Sequence, residues 1–290
     1  MTFGRRFIRW VVLGLVLAPA APLLAQGTLE RVAQRGEFRI GYRTDARPLS
    51  FEEDGRPAGY SVDICRRIAE AVSEHLSLPD MRVSYVPITL ANRFDAVVNG
   101  EIDIECGSTT ITLGRLARVD FTLMTFVTGG SLLSMADDPV ETIDALARKR
   151  VAVIGGTSTE SGLEAYLDEN RINARVVRVA SAEEGMSALV DGDVDAFASD
   201  QIVLVGDALN AMEADDNLEF YFSPELFSYE PYALMVRRND ADFRLVANRA
   251  IAGIFRNGQF GEYYETWIGS FGIEPSTLLL SMYQVQALSE

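Results

Sequence analysis

Histidine, lysine and cysteine are almost missing from this sequence. Its 290 residues include one histidine (His75), one lysine (Lys149) and two cysteines (Cys65 and Cys106). Structural zinc sites are usually built from four cysteine and histidine side chains, so this composition argues against a metal centre. We therefore expect no metal and no cofactor. For the two cysteines, two possibilities stay open: a disulfide in an oxidising compartment, or two buried thiols.

Positive charge is also scarce. The chain has 26 basic and 42 acidic residues, a net charge of -16. This balance argues against nucleic acid and anionic membrane surfaces as partners, because both would repel the protein. A small anionic ligand would need a local group of arginines.

The first 25 residues combine a short basic segment with a short apolar one. Three arginines precede an apolar run at residues 10–17, and prolines interrupt the residues that follow. This pattern is typical of a secretion signal. The alternative, a membrane-spanning helix, would need a longer apolar run. We predict a signal peptide over residues 1–25, cleaved near Ala25, and a periplasmic protein. The mature chain then has 23 basic and 42 acidic residues, a net charge of -19.

Short β-rich runs alternate with helical stretches in the rest of the chain, which indicates an α/β fold. The clearest predicted strands are residues 38–42, 83–86, 102–104, 151–154 and 176–179. An Asp54-Gly55 turn predicts a hairpin. The predicted helices are one capped by Asp63 and others at residues 94–98, 160–169, 182–190, 240–257 and 260–267.

Two extended apolar segments, 125–134 and 223–237, each lie between blocks of alternating elements. We predict that each crosses from one lobe to another. Residues 96–104 resemble residues 188–196, which agrees with two related lobes; convergence on a common helix-to-strand turn is the alternative. The predicted lobes are residues 26–127 with 229–290, and residues 128–228. A hinged cleft between them is a usual place for a ligand.

Polar side chains follow several predicted strands, where open α/β sheets bind their ligands. Arg43 follows the first strand, Ser108, Thr110 and Arg115 follow a later one, and Asp200 follows one in the second lobe. An arginine can hold a carboxylate through two parallel hydrogen bonds. An aspartate can hold an ammonium group. The alternatives are a solvated surface position for Arg115 and a helix N-cap for Asp200.

Two more candidates lie at predicted helix starts. Ser158 belongs to a Gly-Gly-Thr-Ser segment that opens a helix, where free N–H groups attract anions. Thr157 and Glu160 have capping-box spacing, so an ordinary capped helix is the alternative. Arg93 opposes the dipole of its own helix, which indicates another role. Together the candidates predict a site for a zwitterion with one additional negative charge.

Several segments carry a family resemblance: residues 39–43, 59–63, 92–93, 105–110 and 156–158, with Arg115. They resemble the periplasmic polar amino-acid-binding proteins of ABC importers (solute-binding protein family 3), and most of all the glutamate/aspartate-binding branch. The Glu-Cys-Gly-Ser-Thr-Thr run is fairly specific to that branch. The resemblance covers about residues 28–267. It implies a two-lobed type II periplasmic-binding-protein fold with two crossover strands as a hinge, and the importer's membrane subunits as partners.

The resemblance also assigns a role to each candidate. It implies that the α-carboxylate is held by Arg115, Thr110 and Ser158, the α-ammonium by Asp200 and Ser108, and the side-chain carboxylate by Arg43 and Arg93. The sequence departs from the family at two points, because Leu90 replaces a serine and no histidine stands at residues 182–184. We therefore expect glutamate or aspartate as the ligand, and leave the amides open.

Two other functions stay open. Secreted enzymes of the same fold dehydrate cyclic acids such as prephenate or arogenate (cyclohexadienyl and arogenate dehydratases). Asp200 bound to an amine would be a poor proton donor, so we expect no enzymatic activity. The other alternative is a sensory adaptor that binds an amino acid and signals to a receptor. Nothing in the sequence demands a dimer, and we expect a monomer.

Overall fold

Thirteen strands and ten helices make up residues 26–289, the part of the chain that this computed structural model describes. The predicted signal peptide lies outside the described residues. The strands are β1 Glu37–Arg43, β2 Asp45–Ala46, β3 Ser50–Glu53, β4 Arg56–Ala58, β5 Arg82–Ile88, β6 Ile104–Cys106, β7 Asp120–Thr128, β8 Gly130–Met135, β9 Arg150–Ile154, β10 Arg175–Val179, β11 Ala196–Asp200, β12 Phe220–Phe222 and β13 Glu230–Val236. The helices are α1 Thr28–Arg35, α2 Tyr60–Leu76, α3 Arg93–Val98, α4 Leu113–Leu116, α5 Ser158–Glu169, α6 Ala182–Val190, α7 Gln201–Ala214, α8 Ala241–Arg256, α9 Gln259–Trp267 and α10 Thr277–Gln286.

Two five-stranded sheets with matching topology form the two lobes. The first has the order β5-β1-β6-β13-β7 and the second the order β10-β9-β11-β8-β12. In each sheet three parallel strands are followed by two strands that pair antiparallel. The shared order agrees with two related lobes. A small antiparallel sheet of β2, β3 and β4 adjoins the first lobe and contains the predicted hairpin.

The chain passes between the two sheets at two adjacent places. Strands β7 and β8 lie in different sheets although only Gly129 separates them, and residues 223–229 lead back from β12 to β13. The two connections touch, because the Phe227 N–H donates to the Gly130 carbonyl at 2.9 Å and the Gly130 N–H donates to Ser228 Oγ at 3.2 Å. The predicted crossings are therefore confirmed. The lobe limits at residues 127/128 and 228/229 stay a prediction.

Apolar clusters hold helices against both faces of each sheet. In the first lobe α2, α8, α9 and α10 share one cluster with β1 and β13. The opposite face of that sheet carries a smaller cluster around α3. In the second lobe one cluster contains residues of α5 and the other residues of α6 and α7. None of the described helices is long and apolar enough to cross a membrane.

Several predicted boundaries differ from the observed ones by one or two residues, as for α5, which begins at Ser158 and not at residue 160. Two differences have a clear structural reason. Helix α2 begins at Tyr60, after Gly59 with φ 119°, so Asp63 is not its cap. Asp63 lies in the first turn instead, where it accepts a hydrogen bond from Trp267 Nε1 at 2.7 Å. Strand β6 starts two residues later than predicted, at Ile104, because Ile102 still belongs to the turn that follows α3.

Cys65 and Cys106 form a disulfide, with 6.3 Å between their Cα atoms. It joins α2 to β6, the middle strand of the first sheet. This decides between the two possibilities that the sequence left open. The bond anchors the strand directly before Ser108 and Thr110.

Candidate functional site

A small polar pocket of about 50 Å³ lies between the two lobes. All seven candidate side chains line it: Arg43, Arg93, Ser108, Thr110, Arg115, Ser158 and Asp200. Four of these, Arg43, Arg93, Thr110 and Asp200, are at most 8% exposed. The structure thus brings together the residues selected from the sequence. Their roles toward a ligand stay a prediction.

Three arginines approach the pocket from the first lobe. Arg43 ends β1, Arg93 begins α3, and Arg115 lies on the single turn α4. The guanidinium carbons of Arg93 and Arg115 lie 5.3 and 5.8 Å from the centre of the Phe94 ring. Such cation–π contacts are attractive and directional. Phe94, which the sequence identified only as a helix residue, therefore positions two of the three arginines.

The partners of the three arginines differ. Arg43 donates to Asp45 Oδ1 from Nε at 2.7 Å and from Nη2 at 2.6 Å. Arg115 Nη1 donates to the Thr110 carbonyl oxygen at 2.7 Å. For Arg93 no ion pair occurs within residues 26–289, and its Nε is buried without a hydrogen-bond partner. Arg93 is therefore the arginine best able to take up a new anion.

Burial lowers the pKa values of two of these arginines. It lowers the pKa of Arg93 to about 10, with smaller contributions from Arg115 and Arg43, while Glu105 acts in the opposite direction. Burial also lowers the pKa of Arg115, against the effect of Glu230 and Asp200. Both groups remain charged at neutral pH. The first lobe thus presents a concentrated positive charge that the net acidity of the chain does not reveal.

Asp200 brings a buried carboxylate from the second lobe. It stands at the N-cap position of α7, but its side chain does not cap the helix. Instead it accepts hydrogen bonds from Thr159 Oγ1, at 2.6 Å, and from the Tyr232 hydroxyl. Burial and then the neighbouring Glu230 raise the pKa of Asp200 above its usual range. A bound ammonium group would lower the pKa of Asp200 again, because its positive charge stabilises the ionised carboxylate.

A chain of hydroxyl groups joins the two lobes across the pocket. Ser158 Oγ donates to Thr110 Oγ1 at 3.1 Å, and Thr110 Oγ1 donates to Glu230 Oε2 at 2.7 Å. Ser228 Oγ donates to the other oxygen of Glu230, also at 2.7 Å. The lobes therefore touch around the pocket. A ligand the size of an amino acid can enter only when they separate.

The start of α5 combines the two interpretations that the sequence left open. Thr157 Oγ1 accepts from the Glu160 N–H at 3.0 Å, and Glu160 Oε2 accepts from the Gly156 N–H at 2.7 Å. The first bond is that of a capping box. In the second bond Glu160 accepts from Gly156, the residue before the N-cap Thr157, and not from Thr157 itself. Ser158, the first residue of the helix, still lines the pocket. The helix is capped, and its start belongs to the pocket wall.

Sequence reasoning missed five polar residues in or behind the pocket: Asp45, Thr159 and Ser199, which line it, and Glu230 and Tyr232, which contact Thr110 and Asp200. Thr159 follows Ser158 and was concealed within the helix pattern. Glu230 and Tyr232 lie in the second crossing, and both are almost fully buried. A charged residue within an extended apolar segment was the available signal. The apolar part of the wall includes Leu90 and Ala182.

No cluster of three or more potential metal-ligating side chains occurs within the described part of the chain. The pocket wall combines charged groups with hydroxyls. Those groups suit a small zwitterion with an extra carboxylate.

Comparison with known proteins gives the family. The model of the bacterial extracellular solute-binding proteins, family 3, matches residues 38–270. The chain belongs to this family. It is 32% identical over 259 residues to the L-glutamate/L-aspartate-binding protein of Pseudomonas aeruginosa, which covers 89% of this chain and 85% of that protein. It is 31% identical over 255 residues to the glutamate/aspartate import solute-binding protein of Escherichia coli, with coverages of 88% and 83%.

Solved structures support the same fold. The ancestral amino acid-binding protein AncCDT-1, described as a precursor of cyclohexadienyl dehydratase, gives a TM-score of 0.69 at 24% identity. The match covers 83% of this chain and 99% of that one. At this identity the likeness concerns the fold alone. The predicted two-lobed type II periplasmic-binding-protein fold is confirmed.

Proposed function

We propose that this protein captures an acidic amino acid between its lobes and delivers it to the membrane subunits of an ABC importer. The observation that carries the proposal is the composition of the pocket, in which three arginines, one of them paired with Asp45, face the Asp200 carboxylate of the second lobe across a set of hydroxyls. The two relatives named above are glutamate/aspartate-binding proteins, which favours the same ligand class.

The α-amino-acid part of the ligand would bridge the lobes. Arg115, with Thr110 and Ser158, would hold the α-carboxylate, and Asp200 with Ser108 would hold the α-ammonium. Ser158 and Thr110 already form a hydrogen bond between the lobes, and Arg115 donates to the carbonyl oxygen of Thr110. A ligand bound there has more contacts in the closed form than in the open one, so it shifts the population toward closure.

The side-chain carboxylate would meet Arg43 and Arg93. Arg93 has a buried donor without a partner, so a carboxylate is better suited to this place than an amide. The family resemblance implies two further polar contacts, which Leu90 and the lack of a histidine at residues 182–184 remove, and each is worth about 1.5–3 kcal/mol when it involves a charged group. Ordered water can replace part of this loss. We expect glutamate or aspartate to bind best, and glutamine or asparagine to bind detectably.

Calorimetry of the purified mature protein tests this proposal with the four amino acids just named, together with arginine and leucine. In the same titrations, Arg93→Ala should bind the acidic ligands more weakly than the wild type does, and its loss of affinity for the amides should be smaller. Arg118→Ala is a matched control, because Arg118 contacts the same Phe94 ring at 5.4 Å but does not line the pocket. Tightest binding of arginine or leucine would contradict the roles given to Arg43 and Arg93.

Dehydratase activity is the second candidate, because the raised pKa of Asp200 is a property that a general acid needs. Against it, Asp200 accepts two hydrogen bonds that stabilise the ionised carboxylate. We propose that the protein is not an enzyme. Conversion of prephenate or arogenate to an aromatic product, followed by absorbance, would overturn this.

Transport is preferred to sensing on the strength of the importer-linked relative in Escherichia coli. Loss of radiolabelled glutamate uptake on deletion of the gene tests this choice. We also propose export to the periplasm with cleavage near Ala25, and a monomeric protein. N-terminal sequencing of the exported chain and sedimentation equilibrium test these two points.

A further inference from the structure

A fully buried carboxylate lies behind the pocket. Glu105 is the middle residue of β6, where it is paired with Gly41 of β1 on one side and Met235 of β13 on the other. It is 0% exposed, and neither carboxylate oxygen has a hydrogen bond of normal geometry within the described residues. Burial of an unpaired carboxylate is costly, so its place next to a binding site requires a reason.

The glycine two residues further on shows where this carboxylate lies. A Cβ on Gly107 would overlap Glu105 Oε1 and would lie 3.2 Å from Arg43 Cγ. Gly107 directly precedes Ser108, which lines the pocket together with Arg43. The carboxylate of Glu105 therefore lies against the inner side of the pocket wall, beside the Arg43 side chain. A side chain at residue 107 would separate the two.

Glu105 also opposes the charge of the other arginines. Burial raises the pKa of Glu105, while Arg93, the Thr109 hydroxyl and Arg43 act to lower it. In return, Glu105 is the largest influence that raises the pKa of Arg93. Arg43 has a second anion in Asp45, whereas Arg93 has no ion pair within residues 26–289. Among the negative groups, Glu105 therefore has the largest effect on Arg93, the arginine whose buried Nε has no hydrogen-bond partner.

On the basis of the proposed function, we propose that Glu105 determines how strongly this pocket distinguishes an acidic from a neutral amino acid. Its carboxylate competes with the side-chain carboxylate of the ligand for Arg93 and Arg43. A ligand carboxylate meets both the attraction of the arginines and the repulsion of Glu105. A neutral amide is attracted less strongly by the arginines and repelled less strongly by Glu105. Glu105 therefore reduces the difference in affinity between glutamate and glutamine.

The test is calorimetry of glutamate and glutamine binding at about pH 8, a value chosen well above the ordinary pKa of a glutamic acid because burial raises the pKa of Glu105. For Glu105→Gln we expect the ratio of the glutamine Kd to the glutamate Kd to rise about tenfold, the effect of a single charged contact. Glu37→Gln is the matched control. Glu37 is also buried in the first sheet, but it pairs with Arg39 and Arg82 away from the pocket, so its ratio should stay unchanged.

A second measurement needs no variant and decides the matter if Glu105→Gln does not fold. A ligand carboxylate placed beside Glu105 should raise its pKa, so binding of glutamate, measured over a series from about pH 5 to about pH 8 that spans the titration of this carboxyl, should take up more protons than binding of glutamine. Asp45, Asp200, Asp207, Glu230 and Tyr232 are the other titratable groups around the pocket, and of these Asp45 and Asp207 are influenced by Arg43, an arginine assigned to the side chain. The comparison is therefore repeated on Asp45→Asn and on Asp207→Asn, where the difference should persist.

Two results would overturn the inference: an unchanged Kd ratio in folded Glu105→Gln, or equal proton uptake for both ligands when that variant is unfolded. Wild-type protein that binds neither amino acid would instead overturn the proposed function, and the inference with it. The two failures are therefore distinguishable.

Discussion

The two faces of helix α7 meet opposite surroundings. On one face Val203 lines the polar pocket and Gly206 packs against Arg47 of the first lobe. On the other face Val205, Leu209 and other apolar residues line a groove of about 660 Å³ behind the crossing strands. The far wall of that groove is the segment that leads into α10. One helix of the second lobe therefore lies between two parts of the first lobe.

This difference indicates that ligand recognition depends on the pocket side of α7 and that the groove side is affected by movement of the lobes. The pocket side is polar and buried, and its charged groups are held in place by specific partners, so it can distinguish ligands. The groove is lined mainly by apolar side chains, with few groups that could orient a ligand. Its width nevertheless depends on the hinge, because its two walls belong to different lobes. We therefore expect movement of α7 toward Arg47 to widen the groove and movement away to narrow it.

Contacts of Arg47 hold the pocket side closed. Arg47 Nη1 donates to Asn210 Oδ1 at 3.0 Å and to Glu213 Oε1 at 2.9 Å. A Cβ on Gly206 would overlap the Arg47 carbonyl oxygen. These contacts join the lobes outside the pocket. Closure is therefore sensitive to residues that no ligand touches.

The largest effect is expected from Arg115→Ala, which removes a central charge of the pocket. Loss of one partner of a buried charge pair costs roughly 2–5 kcal/mol, or about 30-fold to several thousand-fold in affinity. Calorimetry with glutamate measures it. Arg118→Ala is the matched control, because Arg118 also contacts Phe94 but is more than half exposed. Near-normal affinity in folded Arg115→Ala would remove Arg115 from the site.

Gly206→Ala should weaken binding without changing the pocket. Overpacking of this kind costs about 1–3 kcal/mol, and here only the closed form bears it, so affinity should fall by roughly fivefold to a hundredfold. Small-angle scattering at saturating ligand should show less compaction than the wild type. Gly261→Ala in α9, where a Cβ meets no atom within 4 Å, should bind normally. Equal affinity in both variants would argue against the role of the Arg47 contact.

Much of the site was predictable because strand order brings strand ends together. Arg43, Ser108 and Asp200 each follow or end a strand, and the general geometry of open α/β sheets places such residues at one edge. Two extended apolar segments between blocks of alternating elements also predicted the two crossings. These features depend on local patterns that tertiary packing does not alter.

The remaining features depend on contacts between distant parts of the chain. Glu230 and Tyr232 act through Thr110 and Asp200, partners more than thirty residues away in the sequence. The pairing of the cysteines depends on how α2 lies over β6. Asp63 has the residue type of a cap, but Gly59, which adopts a conformation that other residues rarely reach, allows α2 to begin earlier.

A pH-dependent effect on stability is expected on the pocket side of α7. Burial, and then Asp45, raises the pKa of Asp207 to about 7, while Arg43 acts against this. One oxygen of Asp207 is buried without a hydrogen-bond partner. An unfolded aspartate has a pKa of about 4, so the folded protein should lose stability as the pH rises from about 4 to about 7.

Asp207→Asn should therefore be more stable than the wild type above about pH 7, on the order of 4 kcal/mol for a shift of about three pKa units, and no more stable below about pH 4. Thermal unfolding over a series of pH values measures the difference. Asp216→Asn is the control, because Asp216 is exposed on the loop after α7. A stability difference that does not change with pH would assign the effect to packing rather than to ionisation.

The smallest effect, and the one of opposite sign, is expected on the groove side. Met212 is 43% exposed at the edge of the groove, which also contains Glu274. If opening moves α7 toward the segment that leads into α10, Met212→Glu places a second negative charge where the open form brings the walls together. The open form is then disfavoured, and affinity rises with the population of the closed form. We expect glutamate to bind roughly two- to fivefold more tightly, since exposed substitutions rarely exceed a change of about 0.5–1 kcal/mol.

Met212→Leu, which conserves volume and charge, should bind as the wild type does. Calorimetry of both variants, with scattering of the ligand-free proteins, tests this, and weaker binding by Met212→Glu would show that the groove does not widen on closure.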